Sequence, residues 1–380
     1  EYMLQLDYII DSFSKTKVRK MKPFIRNLLR MSVYQIKYMD AVPDSAVCNE
    51  AVKLAKRHKF AQLSGFVNGV LRNIARNIDS VQFDTLSIRY SMPQWIVDRF
   101  VAAYGEKKAE EIFKAFHSKS TISIRTNLTR CTPDELRATL EAEGVTVTAV
   151  DELNYAFVIS GFDYLNGLQS FRDGLFYVQD ISSMLVAQTA APKKGDYVID
   201  VCAAPGGKST HIAELLQGSG HVLARDLTDN KVDMIEENID RHGLNNMSAE
   251  VWDATVFDAD SAGKADILIC DLPCSGLGVL GRKKDIRYKM TPESVDELAA
   301  LQRQILDTVH TYVKPNGVLV YSTCTIDEAE NEDNVRWFIE KHPEFELDKS
   351  FAEGTGMKQI LPGEHGSDGF FIARFIKSKL

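Results

Sequence analysis

The sequence predicts an α/β protein in which a doubly wound, mostly parallel sheet follows an all-α domain and a small α/β subdomain. Three observations lead to this prediction. The length of 380 residues exceeds that of a typical single domain, apolar residues near the start recur at helical spacing, and short apolar strands alternate with helices after Tyr197. The predicted domains are residues 1–78, 79–170 and 171–380.

The first predicted domain is helical. Between residues 5 and 77, apolar side chains recur at the spacing that places them on one face of a helix. Pro43 and Asp44 separate two of the helices, and Gly65 marks a second corner. Residues 79–120 continue as helices with polar turns, which is typical of a connector.

The second predicted unit has a β-α-β order. An alternating apolar run at 121–127 is followed by a helix that Thr132 opens, and a second alternating run lies at 145–150. The main sheet comes next, and its ligands are expected at the carboxyl ends of its strands. Its five clearest strand signals are YVIDVC, HVLARD, AEVW, ADILICD and GVLVYST.

Charge is distributed unevenly along the chain, whose net charge is −8. Residues 1–78 hold 14 Lys+Arg and 6 Asp+Glu, a net of +8, so the remaining residues carry −16. Eight basic residues and no acidic one lie between Lys15 and Lys37. One interpretation of this run is a solvated helix face. The other is electrostatic steering of a nucleic acid toward an acidic catalytic part.

The composition indicates the protein class. The hydrophobic fraction of 44% and charged fraction of 26% are ordinary for a soluble globular protein. No apolar stretch approaches the roughly 20 residues that a membrane span needs, so no membrane partner is expected. Six cysteines are few for this length and fit a reducing compartment. We therefore expect a cytoplasmic protein, and a monomer.

A predicted strand, VIDVC, runs directly into the turn AAPGGK and then into a helix. Gly206 and Gly207 let the backbone approach a ligand, and the start of a helix favours anionic or polar groups. The dinucleotide pattern G-x-G-x-x-G is absent. Cys202 stands where the first glycine of a P-loop would be, so an NTPase is disfavoured. A glycine turn alone is weak support for a ligand, since many such turns only redirect the chain.

Two aspartates follow the next two strands. Asp226 ends HVLARD, 20 residues after Gly206, where a carboxylate can accept hydrogen bonds from a ribose. Asp253 follows AEVW and suits an adenine amino group or a backbone amide. Each alone is more typical of a helix cap or a loop. Together with the glycine turn they indicate a cofactor that contains adenosine.

Two cysteines follow the fourth and fifth strands. The segment ILICDLPCSGLG places Asp271 and Cys274 after the fourth, and VLVYSTCTIDEAENE places Cys324 after the fifth. No metal is expected, because no Cys or His spacing typical of zinc is present. A buried structural thiol is the usual role of a cysteine, and we expect it of Cys48, Cys131 and Cys270.

The motifs CAAPGGK, DLPCSG and STCT, in this order, resemble those of the RNA 5-methylcytosine methyltransferases. Over its whole length the chain is similar to the RsmB (Sun, Fmu) branch. Residues 5–77 resemble the NusB-like RNA-binding domain of that branch without its first helices, and a natural start upstream of Glu1 is expected. The resemblance implies a Rossmann-like methyltransferase domain that uses S-adenosylmethionine and releases S-adenosylhomocysteine.

The resemblance also implies a role for each motif residue. Asp226 would bind the cofactor ribose, Asp253 would lie near the adenine, and Asp271 would lie near the reacting centre. Cys324 would be the nucleophile, and Cys274 would assist release of the product. The loop that would hold S-adenosylmethionine comprises Cys202, Ala203, Ala204, Pro205, Gly206, Gly207 and Lys208.

These roles fit the chemistry of cytosine. Carbon 5 is a poor nucleophile, and addition of a thiolate to carbon 6 converts the ring into an enamine whose carbon 5 can attack a methyl sulfonium. Asp271 is a candidate to hold or protonate ring nitrogen 3. The implied substrate is 16S ribosomal RNA before the subunit is complete. A basic loop after Cys274 either grips flanking phosphates or is only solvated, and comprises Arg282, Lys283, Lys284, Arg287 and Lys289.

Other functions fit the motifs less well. A DNA cytosine methyltransferase would use the Pro-Cys cysteine as its nucleophile, and STCT and the basic helical domain disfavour it, so no DNA partner is expected. A methyltransferase for proteins or exocyclic amines would need neither cysteine. A non-catalytic RNA-binding assembly factor would not need intact cofactor and thiol motifs. A 5-methylcytosine methyltransferase acting on tRNA is a further alternative.

Overall fold

The computed structural model describes residues 1–118 and 121–379. The chain forms two compact units, Glu1–His117 and Ser118–Leu380. Lys119 and Ser120 of the predicted connector, and Leu380 of the last predicted domain, lie outside the described residues. The predicted domain boundaries at residues 78 and 170 stay a prediction. Among the described helices, none has the length and apolar character needed to cross a bilayer.

The first unit is all-α, as its periodicity predicts. Its core is built from the apolar face of each helix and includes Ile9, Leu29, Val67 and Leu71, all fully buried. The helices are α1 (Met3–Phe13), α2 (Pro23–Tyr38), α3 (Asp44–Arg57), α4 (Ser64–Asn77), α5 (Leu86–Arg89), α6 (Gln94–Tyr104) and α7 (Glu106–His117).

The predicted corners of this unit are reproduced closely. Pro43 lies immediately before α3 with an extended backbone, which its ring favours, so the helix begins at the next residue. The second corner is a short 3-10 turn at Ala61–Leu63. Gly65 comes just after that corner, as the second residue of α4. The segment expected to be a connector contributes helices α5 to α7 to this unit.

The second unit begins with a small antiparallel sheet. The predicted strand, helix and strand are β1 (Ile122–Thr126), α8 (Pro133–Ala142) and β2 (Thr146–Val150). Thr132 and Glu135 form a reciprocal capping box that starts α8. Further elements complete this part in the sheet order β2-β3-β1-β4: β3 (Leu153–Ser160), α9 (Gln169–Arg172) and β4 (Phe176–Val178).

The main sheet follows helix α10 (Ile181–Ala190). All five predicted strands are present and pair in parallel. They and their helices are β5 (Tyr197–Asp200), α11 (Gly207–Leu215), β6 (His221–Asp226), α12 (Asp229–His242), β7 (Met247–Val251), β8 (Ala265–Asp271), α13 (Ile286–Lys289), α14 (Pro292–Val309) and β9 (Val313–Thr323).

Three strands that the sequence reading did not identify extend the sheet in antiparallel fashion beyond β9. They follow α15 (Glu332–Lys341) and are β10 (Phe345–Leu347), β11 (Met357–Ile360) and β12 (Phe370–Lys377). The order is β10-β12-β9-β8-β5-β6-β7, and β11 pairs with β12. The chain leaves β5 toward β6 on one side and returns through β8 on the other, so the carboxyl ends of β5 and β8 flank the point where ligands bind in such sheets.

Helices cover both faces of the main sheet. On one face, α14 and α15 contribute Ile305, Leu306 and Phe338 to the core. On the other face, α10 and α11 contribute residues such as Val186 and Ile212. Because the central strands are buried on both faces, they appear in the sequence as continuous apolar runs rather than as alternating patterns.

Candidate active site

The glycine turn joins β5 to α11. Gly206 has φ of 101°, a left-handed conformation that glycine adopts without steric cost, and its carbonyl oxygen accepts the first hydrogen bond of the helix from the Thr210 amide at 2.8 Å. A Cβ atom on Gly207 would lie 3.1 Å from the Tyr177 ring. The turn therefore depends on glycine, and it opens at the carboxyl edge of the sheet.

Asp226 lies at the end of β6 and supports this turn. Its Oδ2 atom accepts a hydrogen bond from the Ala204 amide at 2.9 Å. Its Oδ1 atom accepts from the Leu227 amide at 2.7 Å and from Lys231 Nζ at 2.8 Å. The turn and the Asp226 carboxylate are thus brought together, although 22 residues separate Ala204 from Asp226. The ribose-binding role of Asp226 stays a prediction.

Asp253 is exposed, and its side chain forms hydrogen bonds with a residue two positions later in the chain. Its Oδ1 atom accepts from the backbone amide of Thr255 at 2.9 Å and from the Thr255 hydroxyl at 2.7 Å. These bonds lower the pKa of the Asp253 carboxyl. A loop residue of this kind is one of the two roles that the sequence allowed for Asp253. Its other role, near the adenine of the cofactor, stays a prediction.

Asp271 and Lys208 form an ion pair at the carboxyl ends of β8 and β5. Lys208 Nζ lies 2.6 Å from Asp271 Oδ2, and the Ser322 hydroxyl donates to Asp271 Oδ1 at 2.8 Å. Burial opposes the charge on Lys208, but the Asp271 carboxylate favours it, and the net pKa of Lys208 is raised. A cation and a carboxylate therefore share one partly buried position beside the two cysteines.

The two cysteines predicted as catalytic meet at this place. Cys274 Sγ lies 3.4 Å from Cys324 Sγ, and both residues are partly exposed. The hydrogen bond between the two thiols lowers the pKa of Cys324 and raises that of Cys274. Lys208 and Lys283 also lower the pKa of Cys324, whereas burial and Asp271 oppose them. Cys324 is thus the better nucleophile of the two, since a thiolate is the reactive form.

The chain was compared with known proteins. Its residues 187–376 match the family model described as 16S rRNA methyltransferase RsmB/F, residues 1–76 match the NusB family, and residues 92–162 match the ferredoxin-like domain of RsmF/B-like methyltransferases. A probable ribosomal RNA small subunit methyltransferase B of Bacillus subtilis is 38% identical, over 98% of this chain and 87% of that protein.

The chain belongs to the RsmB/F family of small-subunit rRNA methyltransferases. It is therefore an S-adenosylmethionine-dependent methyltransferase with an RNA substrate. Two solved structures are similar to it. The crystal structure of PH0851 has a TM-score of 0.83 at 27% identity, over 99% of this chain and 88% of that one. The structure of NSun6 from Pyrococcus horikoshii with SFG has a TM-score of 0.69 at 25% identity, over 76% of this chain and 99% of that one.

Two buried carboxylates of this RsmB/F methyltransferase were not identified from the sequence. The first is Asp200, at the end of β5, which accepts a hydrogen bond from the Ser209 hydroxyl. Burial raises the pKa of Asp200 to about 7. The sequence did contain a signal for Asp200, because a charged residue ends an apolar strand shortly before the glycine turn.

The second is Glu330, which connects the two cysteine segments. Its Oε2 atom accepts from the Ser275 amide and from Gln302 Nε2, each at 2.9 Å, and its Oε1 atom accepts from the Ser275 hydroxyl. Ser275 Oγ also lies 2.9 Å from Thr325 Oγ1. Glu330 is completely buried, and this burial raises its pKa. The Glu330 carboxyl group therefore binds Ser275, which follows Cys274, and Ser275 in turn contacts Thr325, which follows Cys324.

The sequence left two interpretations of the basic loop, a phosphate grip or a solvated loop. Arg287 fits neither, because it is fully buried and donates to the Leu280 carbonyl at 2.9 Å. Arg282 forms ion pairs with Asp180 at 3.0 Å and Asp368 at 2.6 Å, which holds the loop against two other segments. Lys283 is exposed and stays a candidate for a phosphate contact.

The three cysteines that were expected to be structural differ in burial. Cys48 and Cys270 are buried, as expected of structural thiols, whereas Cys131 is only half-buried.

One cluster of possible metal ligands was not suggested by the sequence. Its side-chain ligand atoms lie within 4.8 Å of one another and belong to Asp307, His310 and His342. Asp307 is already paired with a lysine at 2.8 Å, and we assign no metal to this group.

Proposed function

We propose that this methyltransferase methylates carbon 5 of a cytosine in 16S rRNA through a covalent adduct between Cys324 and carbon 6 of the base, and that Cys274 assists release. The observation that carries this proposal is the 3.4 Å separation of the two sulfur atoms beside the Lys208–Asp271 ion pair. An enzyme that methylates an exocyclic amine would need no thiol at this place. A thiol pair of this kind suits addition to a ring and subsequent elimination.

The residues around the turn fit the cofactor. S-adenosylmethionine, when bound, supplies an electrophilic methyl group and leaves as S-adenosylhomocysteine. We propose that the loop from Cys202 to Lys208 holds it, with Asp226 at the ribose and Asp253 near the adenine. Support for this comes from the position of the turn, which joins the carboxyl end of β5 to the start of α11. The first amides of a helix lack partners within the helix and favour anionic or polar groups.

The chain's own groups divide the chemical work. The Cys324 thiolate adds to carbon 6, which makes carbon 5 nucleophilic, and ring nitrogen 3 needs a proton or a hydrogen bond as the adduct forms. We propose that Lys208 and Asp271, whose ammonium and carboxylate groups lie 2.6 Å apart, act together here: the Lys208 ammonium group supplies the proton, and the Asp271 carboxylate holds it in position. The target base must leave any stack to reach this edge of the sheet.

Release requires a second group. After methyl transfer, the proton on carbon 5 must leave before the Cys324–carbon bond can break and return its electron pair to sulfur. Cys274 lies beside that sulfur, and its raised pKa makes its thiolate a stronger base than that of Cys324. The carbon-5 proton would pass to the Cys274 thiolate, which ends as a neutral thiol. We propose that Cys274 assists this elimination.

The test is denaturing gel electrophoresis after incubation with S-adenosylmethionine and small-subunit RNA. Cys274→Ala should accumulate a covalent RNA adduct, and the Cys274→Ala/Cys324→Ala double variant should not. Cys131→Ala is the matched control and should behave as the wild type, because that thiol lies outside the pair. An adduct trapped by Cys324→Ala alone would reverse the two roles.

Asp271→Asn tests the proton-handling step. It removes the partner of Lys208 and should lower the methyl-transfer rate by about 100-fold or more, a typical contribution of general acid-base catalysis. Adduct formation should slow in parallel. A rate within about threefold of the wild type would remove Asp271 from the mechanism.

The RNA itself is tested by substrate choice. Small-subunit RNA, assembled small subunits and tRNA are offered in parallel, and 5-methylcytosine is quantified in each after digestion to nucleosides. The proposal expects methylation of free 16S rRNA above the other two. Methylation of tRNA alone would favour the alternative substrate, and RNA binding without methylation of any of the three would favour a non-catalytic assembly factor.

A further inference from the structure

We propose that Cys274 and Cys324 are also a modification site: a hydroperoxide converts them to an intramolecular disulfide that reversibly inactivates the enzyme. The inference starts from the 3.4 Å between their sulfur atoms. A disulfide has a sulfur–sulfur distance of about 2.05 Å, so the two atoms must approach by only about 1.4 Å. Formation of the disulfide does not depend on the catalytic roles of these two residues, whereas the inactivation rests on the proposed function.

The fold holds the two thiols together. Their segments follow β8 and β9, which are neighbours in the sheet, and the Gly278 amide donates to the Cys324 carbonyl at 3.1 Å. The Ser275 amide donates a hydrogen bond to Glu330, and Ser275 Oγ lies 2.9 Å from Thr325 Oγ1. One thiol therefore meets the other at a high effective concentration, which favours an intramolecular reaction over further oxidation of either.

The environment also indicates which sulfur reacts first. The hydrogen bond between the two thiols lowers the pKa of Cys324, and Lys208 and Lys283 lower it further. Peroxides are reduced by thiolates, so the more acidic and partly exposed Cys324 is the site of first attack. Buried thiols such as Cys48 and Cys270 are shielded from this reaction.

The chemistry balances in two steps. The Cys324 thiolate attacks the peroxide oxygen, which breaks the O–O bond, forms a sulfenic acid and releases hydroxide or an alkoxide. The Cys274 sulfur then attacks the Cys324 sulfur, the S–S bond forms, and the hydroxyl group leaves with a proton as water. The two thiols lose two electrons to the peroxide. A dithiol reductant reverses the change by thiol–disulfide exchange.

The experiment treats the full chain with hydrogen peroxide, without RNA or S-adenosylmethionine, and measures intact mass and free thiols under denaturing conditions. The expected result is a protein that has lost two hydrogens and two of its six thiols, with one disulfide-linked peptide pair containing positions 274 and 324. Dithiothreitol should restore the original mass.

Two variants make the result specific. In Cys274→Ser, the resolving thiol is gone, so Cys324 should gain oxygen atoms and lose no pair of hydrogens. In Cys131→Ser, the 274–324 disulfide should form as in the wild type. The proposal is overturned if wild-type Cys324 is oxidised to sulfinic acid without a disulfide, if neither thiol reacts, or if the linked peptides are different ones.

The consequence for activity is measured separately. Oxidised wild-type enzyme should lose at least about tenfold in methyl transfer and recover with dithiothreitol, because the disulfide removes the nucleophile. If the disulfide forms and activity is unchanged, inactivation is refuted, and so is the nucleophilic role of Cys324. If no disulfide forms but Cys274→Ala still traps RNA, the proposed function stands and this inference fails.

Discussion

Removal of the Glu330 carboxyl group should loosen both cysteine segments. In Glu330→Ala, the Ser275 amide and one N–H of Gln302 lose their acceptor at a position that is closed to bulk solvent in the intact protein. Each orphaned buried donor costs about 1–3 kcal/mol, so we expect about 3 kcal/mol in total. By the usual factor of ten per 1.36 kcal/mol, that corresponds to about 100-fold more frequent local opening.

The matched control is Glu330→Gln. Its amide oxygen can take the Oε2 position and accept from the Ser275 amide and Gln302, while its NH₂ group donates to the Ser275 hydroxyl. That hydroxyl can then donate to Thr325 Oγ1. The raised pKa of Glu330 indicates that the buried position favours an uncharged group. We therefore expect a cost below about 1 kcal/mol, since no donor is left unsatisfied.

Hydrogen exchange measured by mass spectrometry on peptides that contain Ser275 reports this opening directly. Glu330→Ala should accelerate exchange there about 100-fold, and Glu330→Gln by less than about fivefold, while peptides from β6 stay unchanged. Methyl transfer should fall in the same order. Equal damage from both variants would refute the reasoning, because it would mean that the negative charge, rather than the hydrogen bonds, holds the two segments.

Three further changes test other parts of the second unit. Arg125→Ala should destabilise it by about 4 kcal/mol in chemical denaturation, because it leaves the buried Glu214 carboxylate without its ion partner; Arg125→Met combined with Glu214→Leu should cost less than either single change. Asp200 has a folded pKa of about 7, above its unfolded value, so its contribution is full at low pH and is lost as pH rises from about 4 to 7. Asp200→Asn should remove that decline, which amounts to up to about 4 kcal/mol, from a plot of unfolding free energy against pH. In Gly278→Ala the new Cβ would lie 2.3 Å from one backbone carbonyl oxygen and 2.8 Å from another, so methyl transfer should fall at least about tenfold; Gly69→Ala, where nothing lies within 4 Å, should leave it unchanged.

The antiparallel part of the sheet shows why some of the fold escaped prediction. Strand β12 contains the apolar run FFIARF, which the sequence analysis did not assign to a strand. A short apolar run indicates burial but not its partner, since pairing with β9 joins residues about 50 positions apart. Strand β3 was also missed, and it separates β1 from β2 in the small sheet and pairs with both.

The basic loop illustrates a different limit. Charge alone left a phosphate grip and a solvated loop as alternatives, yet Arg287 is buried and Arg282 is held by two aspartates. A long basic side chain satisfies its charge with whatever carboxylate or carbonyl the fold places nearby. The sequence alone does not show which carboxylates or carbonyls will lie near a given basic side chain.

The sequence by itself determined the five parallel strands, the glycine turn and the place of Asp226, Asp271, Cys274 and Cys324 at strand ends, because strand length, apolar runs and glycine spacing are local properties. Only the tertiary structure decided that the two sulfur atoms lie 3.4 Å apart, that Lys208 pairs with Asp271, and that Glu330 fastens both segments. Each of these contacts crosses between strands or loops distant in the chain. Their geometry is set by the order and register of the whole sheet, which no local pattern encodes.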